Sequence, residues 1–375
     1  MHDKKKEIYI WEDLWGVGGI ETLLLNFMST INNKYKFILV LVNKTTNMFD
    51  DRLKELGVEV YILLDEIIEN PVKRFVKGLS AFRVLLMQRE IETIHFQVSH
   101  SIDFLYIEIA KLQGVPNRIS HCQNGEVNSI LKRFAHSVLK PFVQEAPTIR
   151  IGVSNKAARW VYSKKYSREW IIMYNAIYLD QFIFDENERK LCRDKLDIAE
   201  EPVYLHVGRF NAQKNHAKLI SVFNEIVKRQ PRAILLLLGD GEKKEEIKAL
   251  VNKFGIERNV RFIGNEKNVK SYYCAADELI FPSNYEGLSL VLVEAQASSL
   301  PCVVSDTCDD ANKFLECATF MPLKEADLKW AMKCISLCGR SKVYSYDDMK
   351  DSMYEIRNYA KKMGKIYESL IKWSD

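Results

Sequence analysis

The amino-acid sequence predicts an α/β protein with two doubly wound parallel sheets. Apolar runs typical of strands alternate with helical patterns along most of the 375 residues. The two halves also begin alike, each with a strand, a glycine-bearing loop and a helix. Such alternation is typical of parallel sheets covered by helices, and domains of roughly 150 residues make two domains the expectation for this length.

The first half contains the strand-like runs EIYIW, KFILVLV and VEVYILL, separated by the helical patterns ETLLLNFMSTI and DDRLKELG. In the second half PVYLHVG, RAILLLLG and VRFIG are strand-like, and KLISVFNEIVKR and KKEEIKALVNKFG are helical. Doubly wound sheets bind ligands at the carboxyl ends of their strands. We therefore expect the functional residues in the loops that follow the strands.

The boundary between the two predicted domains falls near MYNAIYLDQF, residues 173–182. The charged stretch after it carries no strand signal and leads into the second sheet. We predict an N-terminal Rossmann-like domain over residues 1–178 and a C-terminal one over residues 179–350. The tail, MYEIRNYAKKMGKIYESLIKW, has an amphipathic helical pattern, and residues 351–375 are predicted as a separate helix.

The composition excludes several classes of protein. It is 47% hydrophobic and 28% charged, as in globular proteins, and no apolar run reaches the roughly 18–20 residues that span a bilayer. The N-terminus lacks a signal peptide's features, so we expect a cytoplasmic protein. No Cys-x-x-Cys pair and no Asp-x-Asp motif occurs, so we expect no zinc ribbon, redox motif or metal clamp.

The loop WGVGGIE after the first strand offers Gly16, Gly18 and Gly19. A dinucleotide fingerprint needs a third glycine where this chain has Glu21, so an NAD site is not expected. Glycines here still let the loop approach a ligand closely and expose amide donors. A purely structural tight turn is the alternative.

The loop HVGRFNAQKNH follows the first strand of the second half. Gly208 lets the chain turn out of the strand, and Arg209 and Lys214 then stand at its carboxyl end. Two cations in this place suit a diphosphate, because Arg binds it in a bidentate way and Lys acts as a point charge. The alternative is that both are solvated surface residues.

The segment FPSNYEGLSLVLVEAQASSLP, residues 281–301, places two glutamates in an apolar run. ELIF is a predicted strand, and Ser289 is a predicted N-cap for the helix LVLVEAQASS. The helix start favours an anion, with Glu286 in the preceding loop and Glu294 about 7 Å along the helix. A nucleotide-sugar could donate hydroxyls to both carboxylates. The alternative is one salt-bridged glutamate and one accidental loop glutamate.

These motifs together resemble a family 4 retaining glycosyltransferase with the GT-B fold, of the type common in bacterial exopolysaccharide and capsule synthesis. GG-x-E, G-R-x4-K-N, the GDG at residues 239–241, and E-G-L-S with Glu-x7-Glu occur in the family's order. The similarity covers almost the whole chain and is strongest over residues 203–306. It implies two Rossmann-like domains facing a central cleft, with the C-terminal helix crossing back to the N-domain.

The resemblance also implies roles for matching residues. Arg209 and Lys214 would hold the donor diphosphate and stabilise the leaving group. Glu286 would contact the transferred sugar, Glu294 the ribose hydroxyls, and Glu21 would hold the first loop. The other implied donor-binding residues are Gly18, Gly19, Gly208, Gly239, Gly241, Gly287, Leu288, Ser289 and Leu290. A nucleotide-diphosphate-sugar, with UDP favoured, would be the donor, and no cofactor is implied.

One catalytic position is ambiguous. Relatives usually carry a histidine near the end of an N-domain strand, close to the reacting carbon. In the segment RISHCQN either His121 fills this position or Gln123 replaces it. His95 and His100 are other candidates, or ordinary core histidines.

A basic region runs from Lys111 to Arg168, with eleven Lys and Arg against two carboxylates. Within it, the segment ILKRFAHSVLKPF has apolar residues on one helical face, beside the acceptor or membrane candidates Lys132, Arg133 and Lys140. Such a helix can lie on an anionic membrane, or it can pack on its own sheet. The resemblance favours the membrane, since relatives often extend sugars on lipid-diphosphate carriers. No nucleic-acid motif accompanies the charge.

The leading hypothesis is a metal-independent retaining hexosyltransferase for surface polysaccharide synthesis. It would transfer a hexose-type sugar to a saccharide acceptor, which we expect to be lipid-linked, with a peripheral contact on the inner face of the plasma membrane. The rival is a catalytically silent GT-B partner of such an enzyme. A sugar-nucleotide epimerase on the same fold is disfavoured by the match of the transferase motifs.

Overall fold

The computed structural model describes residues 5–66, 68, 70–123, 130–142 and 144–371. Contacts divide the chain into two compact units. Unit 1 is Met1–Ala176 with Ile356–Asp375, and unit 2 is Ile177–Glu355. The sequence-based limits at residues 178 and 350 lie close to these divisions, and the C-terminal segment belongs to unit 1.

Unit 1 contains one sheet of parallel strands in the order β3-β2-β1-β4-β5-β6-β7. The strands are β1 Lys6–Trp15, β2 Tyr35–Lys44, β3 Glu59–Ile62, β4 Thr93–Val98, β5 Asn117–Cys122, β6 Ile149–Gly152 and β7 Trp170–Ile172. The helices that connect them are α1 Gly19–Ile31, α2 Asp50–Glu55, α3 Pro71–Gln88, α4 Phe104–Leu112, α5 Ile130–Leu139 and α6 Asn155–Val161.

Unit 2 repeats the design with the strand order β10-β9-β8-β11-β12-β13, again parallel. Its strands are β8 Val203–Val207, β9 Ile234–Leu238, β10 Val260–Gly264, β11 Glu278–Phe281, β12 Cys302–Ser305 and β13 Ala318–Met321. Its helices are α7 Glu186–Lys195, α8 His216–Val227, α9 Lys244–Phe254, α10 Val269–Ala275, α11 Leu290–Ala297 and α12 Asp327–Leu337. The predicted pair of doubly wound parallel sheets is confirmed.

The chain returns to unit 1 through the last helix, α13, Ile356–Ile371. Its Tyr359 and Tyr367 pack against Phe27 of α1, with ring centroids 5.5 and 6.2 Å apart. The Tyr367 hydroxyl lies 2.9 Å from Nδ1 of His95 on β4. The C-terminal helix therefore completes the core of unit 1, as the resemblance implies.

Each sheet reverses its strand order at one point, between β1 and β4 in unit 1 and between β8 and β11 in unit 2. The β1–β4 register ends at Trp11↔Phe96, and the β8–β11 register ends at Leu279↔Leu205. Beyond these pairs the described residues of the strands have no further register partners across the reversal point. In doubly wound sheets this reversal point, at the carboxyl ends, is where ligands bind.

Among the described residues, none of the helices combines the length and the hydropathy that a bilayer span requires.

Candidate active site

In unit 1, Glu21 closes the loop between β1 and α1. Its Oε1 accepts a 2.7 Å hydrogen bond from the Gly16 amide, and the side chain is buried. A Cβ on Gly18 would lie 2.9 Å from Glu21 Oε2, so glycine gives the carboxylate room. The predicted role of Glu21 in holding the loop is confirmed. Gly18 and Gly19 are exposed there, and their contact with a donor stays a prediction.

His121 lies in the core of unit 1. It is 0% exposed, and its Nδ1 lies 3.2 Å from His95 Nε2, with the two rings stacked at 5.3 Å. Burial lowers the pKa of His121 to about 3. The burial of His121 argues against direct contact with a substrate, and its assignment as a catalytic residue stays a prediction.

Gln123 instead follows the carboxyl end of β5, the edge of the sheet at which ligands are expected. Its Nε2 donates a 2.6 Å hydrogen bond to Gln97 Oε1 on β4. Gln123 is also buried, at 4% exposed, so which of the two residues takes the family's histidine position stays open. His95 is a core histidine, whereas His100 lies at the edge, 2.9 Å from Asp103.

In unit 2, the structure joins two of the predicted site residues directly. Lys214 Nζ lies 2.8 Å from Glu286 Oε1, and the two side chains are 13% and 9% exposed. The ammonium also lies 4.5 Å from the centroid of the Phe281 ring. A cation and a carboxylate with little water around them interact strongly, so this ion pair holds the two side chains together.

Two loops carry this ion pair: the β8 loop, residues 208–215, and the β11 loop, residues 282–289. In the β8 loop, Gly208 makes room for Lys214, because a Cβ on residue 208 would lie 3.0 Å from three carbons of the lysine side chain. The stem of Lys214 therefore lies along the backbone of residue 208, which directs the ammonium toward Glu286.

Gly239 and Gly241 shape the site indirectly. Both have a positive φ, 128° and 157°, in the loop after β9. A Cβ at Gly239 would lie 2.2 Å from the Gly208 carbonyl oxygen, and one at Gly241 would lie 2.6 Å from the Phe210 oxygen. These glycines let the loop after β9 pack against the β8 loop. Their direct contact with a donor stays a prediction.

Arg209 lies apart from the ion pair. Its side chain is 74% exposed, with Nε 3.6 Å from Glu242 Oε2. Both predicted cations do follow β8, but the fold buries only Lys214. The contact of Arg209 with a donor diphosphate stays a prediction.

The β11 loop is braced by Asn312, a fully buried residue that sequence reasoning missed. Its Oδ1 accepts from the Ser289 amide at 2.8 Å, and its Nδ2 donates to the Gly287 carbonyl at 2.6 Å. Ser289 occupies the N-cap position of α11, but its hydroxyl makes no capping hydrogen bond. The Ser289 amide is bound to Asn312, and the predicted contact of Ser289 with a donor stays a prediction. The donor contacts of Gly287, Leu288 and Leu290 stay predictions.

Glu294 lies on α11, beside Tyr273 of α10. The Tyr273 hydroxyl donates a 2.8 Å hydrogen bond to Glu294 Oε2. Burial raises the pKa of Glu294 to about 7, although the bond from Tyr273 favours the ionised form. The carboxylate therefore titrates near neutral pH.

Of the basic candidates in unit 1, the side chain of Lys132 lies outside the described residues. Arg133 is exposed on α5. Lys140 is used within the fold, because its Nζ donates to the backbone oxygens of Arg159 and Trp160 at 2.8 and 2.6 Å. Its ammonium is therefore engaged with the backbone of unit 1, and its role as an acceptor or membrane cation stays a prediction.

In the ranges that the structure describes, no group of three or more His, Cys, Asp and Glu residues is arranged to hold a metal ion.

Comparison with known proteins places the unit 2 site in a family. Residues 188–312 match the family model described as Glycosyl transferases group 1. The capsular polysaccharide biosynthesis glycosyltransferase CapH of Staphylococcus aureus is 23% identical over 363 residues, which cover 94% of this chain and 96% of CapH. The matched range includes both loops of the ion pair.

A second relative comes from Campylobacter jejuni: the N-acetylgalactosamine-N,N'-diacetylbacillosaminyl-diphospho-undecaprenol 4-alpha-N-acetylgalactosaminyltransferase. It is 25% identical over 325 residues, 83% of this chain and 84% of that protein. The crystal structure of Anabaena HepE in complex with UDP-glucose matches with a TM-score of 0.78 and 15% identity, over 97% of this chain and 99% of that one. The chain therefore carries a group 1 glycosyl transferase domain on the GT-B fold, and it is a glycosyltransferase.

Proposed function

We propose that this glycosyltransferase is a retaining, metal-independent hexosyltransferase that uses a UDP-sugar. Its acceptor is a lipid-linked saccharide in surface polysaccharide synthesis. The observation that carries the proposal is the Lys214–Glu286 ion pair, which lies at the carboxyl ends of β8 and β11 where unit 2 reverses its strand order.

The ion pair supports a division of roles between the two side chains. A donor diphosphate beside Lys214 gains a fixed cation where charge develops on the leaving group, and this favours the transition state. Glu286 accepts hydrogen bonds from sugar hydroxyls with the lone pairs that Lys214 leaves free. The positive end of the α11 dipole adds to the field, so the leaving group is stabilised without a metal ion.

The contact between Lys214 and Glu286 also supports a front-face reaction in which the anomeric configuration of the sugar is retained. A carboxylate 2.8 Å from an ammonium is partly neutralised, which weakens it as a nucleophile toward the anomeric carbon. The leaving phosphate is then the group best placed to accept the proton of the acceptor hydroxyl. Bond formation and bond cleavage occur on one face of the sugar, and the anomeric configuration is retained.

A surface on unit 1 supports a membrane-bound acceptor. Phe134, Val138 and Phe142 recur every four residues through α5 and beyond its end, and they are 68%, 49% and 78% exposed. The exposed Arg133 lies beside them. Exposed aromatic side chains next to cations suit the interface of an anionic bilayer. The diphospho-undecaprenol in the name of the Campylobacter relative is an acceptor of this kind.

Calorimetric titration with UDP-, GDP-, ADP- and TDP-sugars in EDTA tests the donor site. We expect one UDP-sugar to bind, and Lys214→Ala to weaken its binding at least tenfold, since a charged hydrogen bond is worth roughly 1.5–3 kcal/mol. Glu286→Gln should lower turnover far more than affinity. Lys228→Ala, which removes an exposed lysine just after α8, is the matched control. Equal and small effects of the two site variants would contradict the assignment.

The stereochemistry and the acceptor need separate assays. Proton NMR of the first-formed product should show the anomeric coupling of the donor sugar, and an inverted anomer would rule out the retaining route. Loss of turnover in EDTA would rule out metal independence. Vesicles that contain anionic lipid should retain the wild-type protein but release Phe134→Glu, while neutral vesicles should retain neither.

A further inference from the structure

Asn284, in the β11 loop, is exposed, yet its backbone and side chain bind the β8 loop. Its amide donates to the Gln213 carbonyl at 2.8 Å, and its Nδ2 donates to the Ala212 carbonyl at 2.7 Å. Its Oδ1 accepts from Asn215 Nδ2 at 3.2 Å. Three hydrogen bonds from one residue thus join the two loops that carry the ion pair.

The partners of Asn284 are the residues on both sides of Lys214. Ala212 and Gln213 precede the lysine and Asn215 follows it, while Glu286 stands two positions after Asn284. A further bond, from Gln213 Nε2 to the Tyr285 carbonyl at 3.2 Å, joins the same loops. Lys214 and Glu286 therefore extend from two segments of backbone that are bound to each other directly.

The geometry of Asn215 fits this contact. Its backbone is left-handed, with φ 52° and ψ 48°, a conformation that Asn tolerates better than most residues. Its Oδ1 accepts from the Lys218 amide at the start of α8, which leaves Nδ2 to donate to Asn284. The orientation of one amide thus serves both the helix cap and the link between the loops.

We propose that Asn284 is a positioning residue that holds the β8 loop against the β11 loop and so sets the separation of Lys214 and Glu286. It touches neither substrate in this role, and it acts on the reaction through the ion pair. The inference rests on the proposed function only for its effect on catalysis. Its effect on the ion pair can be measured without substrate.

The substrate-free test is a double-mutant cycle in urea. Lys214→Met, Glu286→Gln and the double variant give the coupling between the two charges, first with Asn284 present and then in an Asn284→Ala background. We expect the coupling to fall by at least half when Asn284 is removed. An unchanged coupling would overturn the inference, whatever the activity of the variants.

The kinetic test compares Asn284→Ala with Asn284→Asp. The Ala variant loses two side-chain hydrogen bonds, and we expect kcat/KM to fall roughly tenfold with little change in Tm, because Asn284 is exposed. Asp has the same shape but cannot donate to the Ala212 carbonyl, so it should be no more active than Ala. An Asp variant with wild-type kcat/KM would overturn the proposed hydrogen bond.

Two further variants separate the possible failures. Asn215→Gly keeps the left-handed backbone and removes the partner amide, so its effect combined with Asn284→Ala should be less than the product of the two. Asn187→Ala, on the exposed side of α7, is the control. If Asn284→Ala keeps the wild-type kcat/KM while Lys214→Met loses activity, the inference about Asn284 is overturned and the proposed function stands. Wild-type activity of Lys214→Met and Glu286→Gln would overturn the proposed function alone.

Discussion

The carboxyl group of Glu294 should make donor binding depend on pH. Burial raises its pKa to about 7, well above the usual value for Glu, and the hydrogen bond from Tyr273 occupies only one of its oxygens. In the proposed complex the ribose hydroxyls donate to the other oxygen. Because a hydroxyl donates best to the ionised form, the donor should select the carboxylate.

The size of the effect follows from the pKa. With a value of about 7, roughly one tenth of the protein carries the carboxylate at pH 6 and roughly nine tenths at pH 8. The apparent Kd scales inversely with the binding-competent fraction. The Kd of the donor should therefore fall about tenfold between pH 6 and pH 8, roughly fivefold between pH 6 and pH 7 and about twofold between pH 7 and pH 8.

Calorimetry at pH 6, 7 and 8 measures this directly. Buffers of different ionisation enthalpy should also reveal release of up to one proton on binding below pH 7. Glu294→Gln keeps the shape of the side chain and cannot titrate, so its Kd should be nearly constant over this range. A wild-type Kd that is independent of pH, or an equal slope in the Gln variant, would refute the role of Glu294.

The same group links pH to stability. The pKa of Glu294 in the folded state lies above its pKa in the unfolded chain. Its contribution to the free energy of unfolding is therefore fully present below about pH 4.5 and is lost as pH rises through about 7. At roughly 1.36 kcal/mol for each pKa unit, the loss amounts to roughly 3–4 kcal/mol. Urea unfolding of Glu294→Gln should lack this decline, and a decline equal to that of the wild type would contradict the pKa.

Three further changes have defined outcomes. Gly208→Ala should lower kcat/KM about tenfold with a small change in Tm, because the added Cβ displaces the stem of Lys214; unchanged kinetics would contradict the packing seen there. Burial raises the pKa of Glu278, so the stability that this group contributes is lost as pH rises. Glu278→Gln should therefore raise the free energy of unfolding by about 1–3 kcal/mol at pH 8 and by less at pH 5. A larger increase at pH 5 than at pH 8, measured by urea unfolding, would refute this expectation. The lowered pKa values of His95 and His121 should make unit 1 lose stability as pH falls from about 6.5 toward 3, and a flat near-ultraviolet circular dichroism signal over this range would contradict their burial.

The ambiguity of His121 and Gln123 shows where sequence reasoning stops. In β5 four successive residues, from Ile119 to Cys122, are buried, because helices cover both faces of a parallel sheet. An alternating pattern, which would show the face on which each residue lies, is therefore absent. Only the packing of His121 against His95 shows that it belongs to the core.

The sequence by itself determined which segments of the chain are strands and which are helices, since their periodicity is local. It also determined the loops that carry Lys214, Glu286 and Glu21, since these residues follow predicted strands. Only the tertiary structure decided which of these residues meet. The Lys214–Glu286 ion pair, the link through Asn284 and the brace from Asn312 all join segments that are far apart in the chain. Such contacts depend on which strands lie next to each other in the sheet, and no local pattern of residues encodes which strands are neighbours.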